Sequence, residues 1–328
     1  MKQWQDFSAR QSDIRVSDNF VCAADELGLI LINGADARDF LQNQLSNDID
    51  FIDENRSQLS SYSTPGGRLL GIFRVVQISN GYILVTTRAM VKPLLETLYK
   101  YIVQAQVTLA DASDYFARIA LQTDRDEVTG HALLAPQPGE VMQNDSVISL
   151  QLDPFGSQRR YLVMCLSADE AIELWGCFAR QLQVAGFSSW RLAEIKAGMP
   201  AIYPQTTEKF VLQMANLGVL DAVSFKKGCY PGQEIVARMQ YLGKLKRRMF
   251  LARLETDSLP LPGDELVSVG KAEVDGSGQV VDAEFDQDGV CYCLYIAQIN
   301  KADAGSLQLL KQPQVTIQNL DLPYSFDN

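Results

Sequence analysis

The stretch Phe225-Lys226-Lys227-Gly228-Cys229-Tyr230-Pro231-Gly232-Gln233-Glu234 is the most informative part of this 328-residue sequence. Proline is favoured at the first position of a helix, so we expect a helix to start at Pro231, with Cys229 just before its N-terminus. Free backbone N–H groups and the helix dipole favour negative charge there, and the adjacent lysines would add to this effect. The pattern therefore predicts a reactive thiol at Cys229.

The two glycines of this stretch, Gly228 and Gly232, would let the backbone turn tightly and approach a ligand. The local chemistry is also compatible with a buried, inert cysteine in a turn, because free cysteine often behaves as a small core residue. Both interpretations stay open on the residues alone.

The remaining composition excludes several classes of protein. The six cysteines are scattered without a Cys-x-x-Cys pair, and there is one histidine, so we expect neither a disulfide framework nor a stable metal site. An isolated histidine also argues against serine or cysteine protease chemistry. The net charge of −11 opposes strong direct nucleic-acid binding, so any RNA contact must be local or indirect.

The pattern of residues 69–110 indicates two strands, a helix and a strand. Apolar runs at 69–78 and 82–87 flank Asn80-Gly81, a strong hairpin signal, and apolar residues then follow at helical spacing from 91 to 102. A similar order recurs at 147–182. We therefore predict an α+β fold of antiparallel sheets with helices.

From Arg247 onward, short alternating strands separated by Gly-rich turns predict a small C-terminal β-barrel. The predicted domains are residues 1–243, with subdomains 1–115 and 116–243, and residues 244–328. The acidic alternation at positions 282, 284, 286 and 288 is expected to form an exposed hairpin face. No leader-like or membrane-spanning apolar run occurs, so we expect a cytoplasmic protein.

Residues 225–234, with the following Val236-Ala237-Arg238, resemble the signature of the YgfZ family, relatives of the glycine-cleavage T-protein aminomethyltransferase. The resemblance extends over nearly the whole chain, from residues 33–46 through 191–200 to the closing Leu322-Pro323-Tyr324-Ser325. It implies a T-protein-like folate-binding fold around a central channel.

The resemblance also implies a function. Family members support the activity of some iron–sulfur enzymes, including those that methylthiolate tRNA, and have been tied to regulation of replication initiation. In that case Cys229 is the key residue, a redox-active thiol or transient cluster ligand. Its site would be shaped by six residues of the signature, Lys227, Gly228, Tyr230, Gly232, Gln233 and Glu234.

The family's folate site uses aromatic side chains, on which a flat pterin stacks well. Trp190 matches one family tryptophan, although it could also be a core aromatic at a helix start. Glu194 lies one turn further and could accept hydrogen bonds from the pterin. The second family tryptophan is replaced by Leu27, which cannot stack on a ring, so folate affinity is expected to be weaker unless Trp4 or Tyr62 substitutes.

The only dense basic run, Tyr241 to Arg248, could touch tRNA or the glutamate tail of a folate, or could be a solvated strand edge. Three functions therefore compete. The first is a tetrahydrofolate-dependent accessory protein whose partners are iron–sulfur enzymes such as tRNA methylthiotransferases. The second is a true one-carbon transferase, whose base the sequence does not locate, and the third is a noncatalytic tRNA-binding module.

Overall fold

The computed structural model describes residues 1–129, 131–241, 243 and 245–326. Eight α-helices are described in these ranges: α1 Lys2–Ser8, α2 Ala37–Gln44, α3 Val91–Leu98, α4 Asp126–Thr129, α5 Ala168–Ala179, α6 Phe187–Lys196, α7 Gln233–Tyr241 and α8 Ile299–Asp303. Within the same ranges no helix is long and apolar enough to cross a membrane.

The first sheet has the strand order β3-β4-β5-β2-β6 and is antiparallel throughout. Its strands are β2 Leu27–Asn33, β3 Gln58–Ser63, β4 Leu69–Ile78, β5 Gly81–Thr87 and β6 Thr108–Asp111. The β4–β5 hairpin closes at Asn80-Gly81, as predicted. Helix α3 buries Val91, Leu94 and Leu98, so its helical periodicity matches the apolar face it packs with.

The second sheet has the order β11-β1-β7-β10-β9-β8. Its strands are β1 Phe20–Ala23, β7 Ala117–Thr123, β8 Val141–Gln143, β9 Val147–Phe155, β10 Gln158–Cys165 and β11 Gln183–Val184. The predicted recurrence of a hairpin followed by a helix at 147–182 is therefore confirmed, with α5 following the β9–β10 hairpin. The first strand of the chain pairs with β7 and β11, so residues 20–23 belong to this sheet and not to that of their sequence neighbours.

The third sheet is a curled half-barrel of order β16-β13-β14-β15-β12-β17. Its strands are β12 Arg247–Leu254, β13 Glu265–Ser268, β14 Gly278–Phe285, β15 Cys291–Gln298, β16 Leu307–Leu309 and β17 Ile317–Leu320. The predicted α+β class is confirmed. The proposed domain limits stay a prediction, and Leu242 and Lys244, at the predicted boundary, lie outside the described residues.

The expected exposed acidic face of the C-terminal hairpin is wrong at three of its four positions and is confirmed at Asp288, which is exposed. Asp282 and Glu284 are 4 and 5% exposed because their strand β14 packs against α6, and Asp286, in the turn after β14, is 8% exposed. Two arginines compensate the buried charge: Arg191 of α6 pairs with Asp282, and Arg15 lies 3.4 Å from Glu284. Alternation of charge along a strand shows which residues share a face, but not whether another element carries the opposite charge.

Candidate functional site: a cavity beside α6 and an exposed thiol loop

The structure brings Leu27, Trp190 and Glu194 together, although 163 positions separate the first two in the chain. All three line a cavity of about 470 Å³, and they also line an adjoining narrow cavity of about 110 Å³. The larger volume lies within the usual range of about 300–1,000 Å³ for small-molecule sites. We call this larger space the α6 cavity.

Helix α6 forms the α6 cavity because it lies between the second and third sheets. It contacts β1 and β7 on one side and β14 and β15 on the other. Trp190 is 2% exposed and packs with apolar side chains of the first two sheets. Its ring is thus held rigidly in the cavity wall, which makes it both a core aromatic and a cavity residue.

Glu194 is oriented by a buried arginine on β10. Arg160 is fully buried and its Nη1 donates to Glu194 Oε1 at 2.5 Å, while its Nε donates to the Asp153 carbonyl at 2.9 Å. The guanidinium carbon also lies 6.0 Å from the Trp190 ring centroid. Because only Oε1 is bonded to Arg160, Glu194 keeps acceptor capacity for ring N–H and amino groups of a ligand.

The opposite wall holds a polar cluster that the sequence analysis missed. Arg191 Nε donates to Asp282 Oδ1 at 2.6 Å, and the Tyr203 hydroxyl donates to Asp282 Oδ2 at 2.7 Å. Burial and the negative charge of Asp282 raise the pKa of Tyr203, so its phenol remains a neutral donor. The cluster joins α6 to β14 through Arg191 and Asp282, which are 91 positions apart in the chain. No local sequence pattern predicts that these two residues meet.

Leu27 lies in the cavity wall itself, and neither suggested substitute replaces the missing aromatic. Trp4 packs against Trp175 with ring centroids 5.9 Å apart and donates from Nε1 to Asp25 at 3.0 Å, whereas Tyr62 is buried in the core of the first sheet. The aromatic rings that do line the α6 cavity with Trp190 belong to Phe187 and Tyr203.

Glu26, beside Leu27, supplies a second carboxyl group to the α6 cavity. Partial burial raises its pKa above the ordinary value, with Arg191 acting in the opposite direction. The sequence analysis could not locate a base near a folate. The structure provides two carboxyl groups, one held by Arg160 and one with a raised pKa, and either could exchange a proton with a ligand.

The signature loop, residues 225–232, lies apart from the α6 cavity. Cys229 is exposed, so the alternative of a buried cysteine is wrong. The expected helix start is also wrong: α7 begins at Gln233, since Gly232 has φ +83° and interrupts the helical path after Pro231. Cys229 therefore lies four residues before the first helical residue, and the helix dipole, which acts within one turn, contributes less than predicted.

The loop is held by three residues that the motif supplies. Lys227 Nζ donates to the carbonyls of Leu45 and Asn47, each at 2.8 Å, and Gln233 Nε2 donates to the Lys227 carbonyl at 3.4 Å. Burial lowers the pKa of Lys227 to about 8, although Asp48 and Asp50 act in the opposite direction. Tyr230 is 8% exposed, and the Lys227 ammonium lies 5.4 Å from its ring centroid.

Gly232 docks the loop against the turn between β3 and β4. A Cβ atom added at Gly232 would lie 2.7 Å from Gly67 Cα and 2.9 Å from the Thr64 carbonyl oxygen. At Gly228, by contrast, an added Cβ would meet nothing within 4 Å. Glu234, like Cys229, is exposed. Buried members of the motif thus anchor a loop whose exposed members are available for chemistry.

The other cysteines are less accessible. Cys22, Cys165, Cys291 and Cys293 are buried, and Cys177 is half-buried. Burial raises the pKa of the Cys165 and Cys291 thiols to about 12. Cys165 and Cys291 therefore stay as unreactive thiols at neutral pH.

Two arginines of the basic run, Arg247 and Arg248, make contacts within the fold. Arg247 donates to the Gly276 carbonyl, and Arg248 lies over the rings of Phe250 and Phe326 at 4.7 and 4.6 Å. Arg247 and Arg248 also begin strand β12, which pairs with β15. These contacts favour a structural role for the described end of the run, and Lys244 lies outside the described residues.

A small cavity borders both the α6 cavity and the region of the signature loop. The cavity of about 110 Å³ shares seven lining residues with the α6 cavity, among them Trp190 and Glu194. It shares Leu59 and Arg74 with a third cleft, of about 550 Å³, whose wall includes Phe225 and Lys226 of the signature loop. The three spaces therefore share walls in turn between α6 and the loop, and the expected central channel stays a prediction.

Comparisons with known proteins point to one family, although no protein-family model matches the chain. The chain is 29% identical over 308 residues to a tRNA-modifying protein YgfZ from Photobacterium profundum, covering 93% of this chain and 91% of that protein. It is 27% identical to the protein of the same name from Colwellia psychrerythraea over 314 residues, 95% of each chain.

Among solved structures, the aminomethyltransferase T of the glycine cleavage system from Bartonella henselae shares the fold. The TM-score is 0.72 at 14% sequence identity, and the match covers 98% of this chain and 88% of that one. A likeness at this identity concerns the fold alone.

Proposed function

Since this chain belongs to the YgfZ family, we propose that it binds tetrahydrofolate in the α6 cavity and presents Cys229 as the working thiol of a tRNA-modification function. The observation that carries the proposal is the convergence of Leu27, Trp190 and Glu194 on one cavity. A core tryptophan alone would not require a carboxylate and an open volume beside it.

The residues of the α6 cavity fit a reduced folate. Trp190 supplies a rigid ring for a flat pterin, Glu194 supplies an acceptor oriented by Arg160, and Leu27, Met199 and Pro200 supply apolar walls. When bound, the folate would supply one-carbon or redox chemistry. The protein's own contribution is to orient the ring and to keep Glu194 in position.

The accessory role we propose is support of iron–sulfur enzymes that modify tRNA, in the cytoplasm and with a further link to replication control. One exposed thiol on an anchored loop suits transient contact with a partner or a cluster, because such a thiol is accessible without a cage of ligands. The rival function, a folate-dependent one-carbon transferase, is favoured by the two carboxyl groups of Glu26 and Glu194 in the same cavity.

Folate binding is tested by titrating tetrahydrofolate and following calorimetry and tryptophan fluorescence together. Trp190→Phe should abolish most of the fluorescence change, whereas Trp175→Phe, in a separate aromatic cluster, should retain it. Glu194→Gln should weaken binding about tenfold or more, since a charged acceptor is lost. Glu173→Gln, at an exposed position of α5, should match wild type. Absence of saturable heat in wild type would refute the folate site.

Leu27→Trp restores the aromatic that the family pattern places here. If the α6 cavity holds a pterin, this variant should bind tetrahydrofolate about two- to tenfold more tightly, because aromatic stacking adds roughly 0.5–1.5 kcal/mol beyond burial. Unchanged or weaker affinity in a variant with wild-type unfolding would show that Leu27 does not face the ligand.

The role of the thiol is tested with Cys229→Ala and Cys177→Ala. Cys229→Ala should unfold within about 0.5 kcal/mol of wild type, because the side chain is exposed, yet should fail to restore tRNA methylthiolation in cells that lack the endogenous protein. Cys177→Ala should restore it. Full activity of Cys229→Ala would exclude a thiol mechanism.

Turnover separates the two candidate functions. The assay follows the consumption of an aminomethyl or methylamine donor by the pure protein in the presence of tetrahydrofolate. Turnover that requires tetrahydrofolate and is lost in Glu26→Gln would favour the transferase. Lack of turnover with intact folate binding would favour the accessory role.

A further inference from the structure

The third cleft, of about 550 Å³, is a separate site that shares Leu59 and Arg74 with the small cavity of about 110 Å³. We call it the loop cleft. Its lining has no residue in common with that of the α6 cavity, and it is bounded by residues 223–226, the end of the loop before β3, and Asp153. A ligand in the loop cleft would therefore contact the base of the signature loop without displacing one at Trp190.

The loop cleft carries unpaired positive charge in an acidic protein. Arg56 and Lys226 are exposed, and across the described part of the chain neither side chain makes an ion pair or a hydrogen bond to another group. A third cation, Arg74, is 12% exposed and is paired with Asp153 at 3.2 Å. Asp221 is the other acidic residue of the wall, so Arg56 and Lys226 outnumber the unpaired carboxylates.

Two further groups suit a planar, polar ligand. Phe51 lines the loop cleft and is 74% exposed, an unusual exposure for a phenylalanine. Gln58 also lines it, and its buried Nε2 has no hydrogen-bond partner among the described residues. An exposed ring can stack on a base, and rotation of the Gln58 side chain would turn its unused amide donor toward a base carbonyl.

We propose that the loop cleft binds one unpaired nucleotide of an RNA, with the base against Phe51 and the phosphates beside Arg56 and Lys226. This inference rests on the proposed tRNA-related function and adds the surface by which RNA is contacted. Aromatic stacking combined with a few cations is the usual means of holding single-stranded RNA.

The surrounding charge limits the contact to a single nucleotide. The segment that carries Phe51 also holds Asp48, Asp50, Asp53 and Glu54, of which Asp50 is paired with Arg38 at 2.8 Å. Carboxylates along a path oppose an extended row of phosphates. The loop cleft is thus a local RNA contact in a chain whose net charge of −11 disfavours a wider one.

The experiment measures anisotropy of a fluorescein-labelled 12-nucleotide single-stranded RNA titrated with the full chain at several salt concentrations. Phe51→Ala should weaken binding by about fivefold or more. Arg56→Ala and Lys226→Ala should each lower the slope of log affinity against log salt by about 0.7, the value for one phosphate contact on a single strand. The same RNA annealed as a duplex should bind more weakly, because its bases are already stacked.

Matched controls are Tyr115→Ala, an aromatic 66% exposed on another surface, and Arg253→Ala, an exposed arginine of the third sheet. Both should bind RNA like wild type. Equal losses in the controls, wild-type binding by Phe51→Ala, or preference for the duplex would overturn the proposal. Tetrahydrofolate titration of Phe51→Ala should match wild type, so a failed loop cleft is distinguishable from a failed α6 cavity.

Discussion

The α6 cavity and the signature loop are built in opposite ways. The loop and the start of α7 take their functional residues from the ten consecutive positions 225–234, and the thiol of Cys229 is exposed to solvent. The α6 cavity takes its residues from β2, α6, the segment after α6 and β14, and encloses its tryptophan at 2% exposure. The chain itself keeps the residues of a contiguous motif together, whereas the residues of a cavity meet only if every one of its walls is in place.

This difference predicts that the α6 cavity is the more sensitive region to substitution. The largest effect should come from Arg160→Met, which removes the hydrogen bonds to Glu194 and to the Asp153 carbonyl and should lower the free energy of unfolding by about 3 kcal/mol. Arg159→Met is the matched control, because its pair with Asp126 is exposed and should contribute less than about 1 kcal/mol. Urea unfolding of both variants measures the contrast.

Comparable losses at positions 159 and 160 would contradict the greater sensitivity of the α6 cavity. Tetrahydrofolate binding by Arg160→Met at low temperature, where the variant is folded, should also be weakened. Retained affinity would mean that Glu194 does not need its partner.

An intermediate effect is expected at the point where the loop docks. Gly232→Ala introduces a Cβ 2.7 Å from Gly67 Cα at a positive φ, and should cost about 2 kcal/mol of unfolding free energy. Gly228→Ala, with open space around the added atom, should stay within about 0.5 kcal/mol. If both variants resemble wild type, the loop does not depend on the β3–β4 turn.

The last effect, comparable in size to that of Gly232→Ala but confined to alkaline pH, is a pH dependence at Lys227. Its folded pKa of about 8 is below the value of 10.5 for a free lysine, so between these pH values the unfolded chain binds the proton more tightly. The cost of burying the charge is present below pH 8 and is relieved as the pH rises toward 10.5. Relative to Lys227→Met, wild type should gain about 2 kcal/mol of unfolding free energy across this window.

Denaturant unfolding at pH 7.5 and 10 measures this change for wild type, Lys227→Met and Lys226→Met. The exposed Lys226 should give a variant with the pH response of wild type. The absence of a difference between wild type and Lys227→Met would show that the ammonium is not buried in solution.

Local patterns predicted much of the fold because they act over short distances. The Asn80-Gly81 hairpin, the apolar spacing of α3 and the repeated hairpin–helix order are all present. The same reasoning was wrong at Pro231, where Gly232 in the left-handed region delays the helix to Gln233. It was wrong again at Asp282, where a charge pattern typical of a surface strand is buried against Arg191.

The sequence by itself determined the family resemblance, the α+β class, the position of Cys229 and the candidates Trp190, Leu27 and Glu194, since each depends on residue identity and short spacing. Only the tertiary structure decided that those three candidates share a cavity, that Arg160 orients Glu194 and Asp282 supplies the opposite polar wall, and that Lys227 anchors the loop. These features join residues far apart in the chain, and their pairing is set by how the sheets pack around α6, which no local pattern specifies.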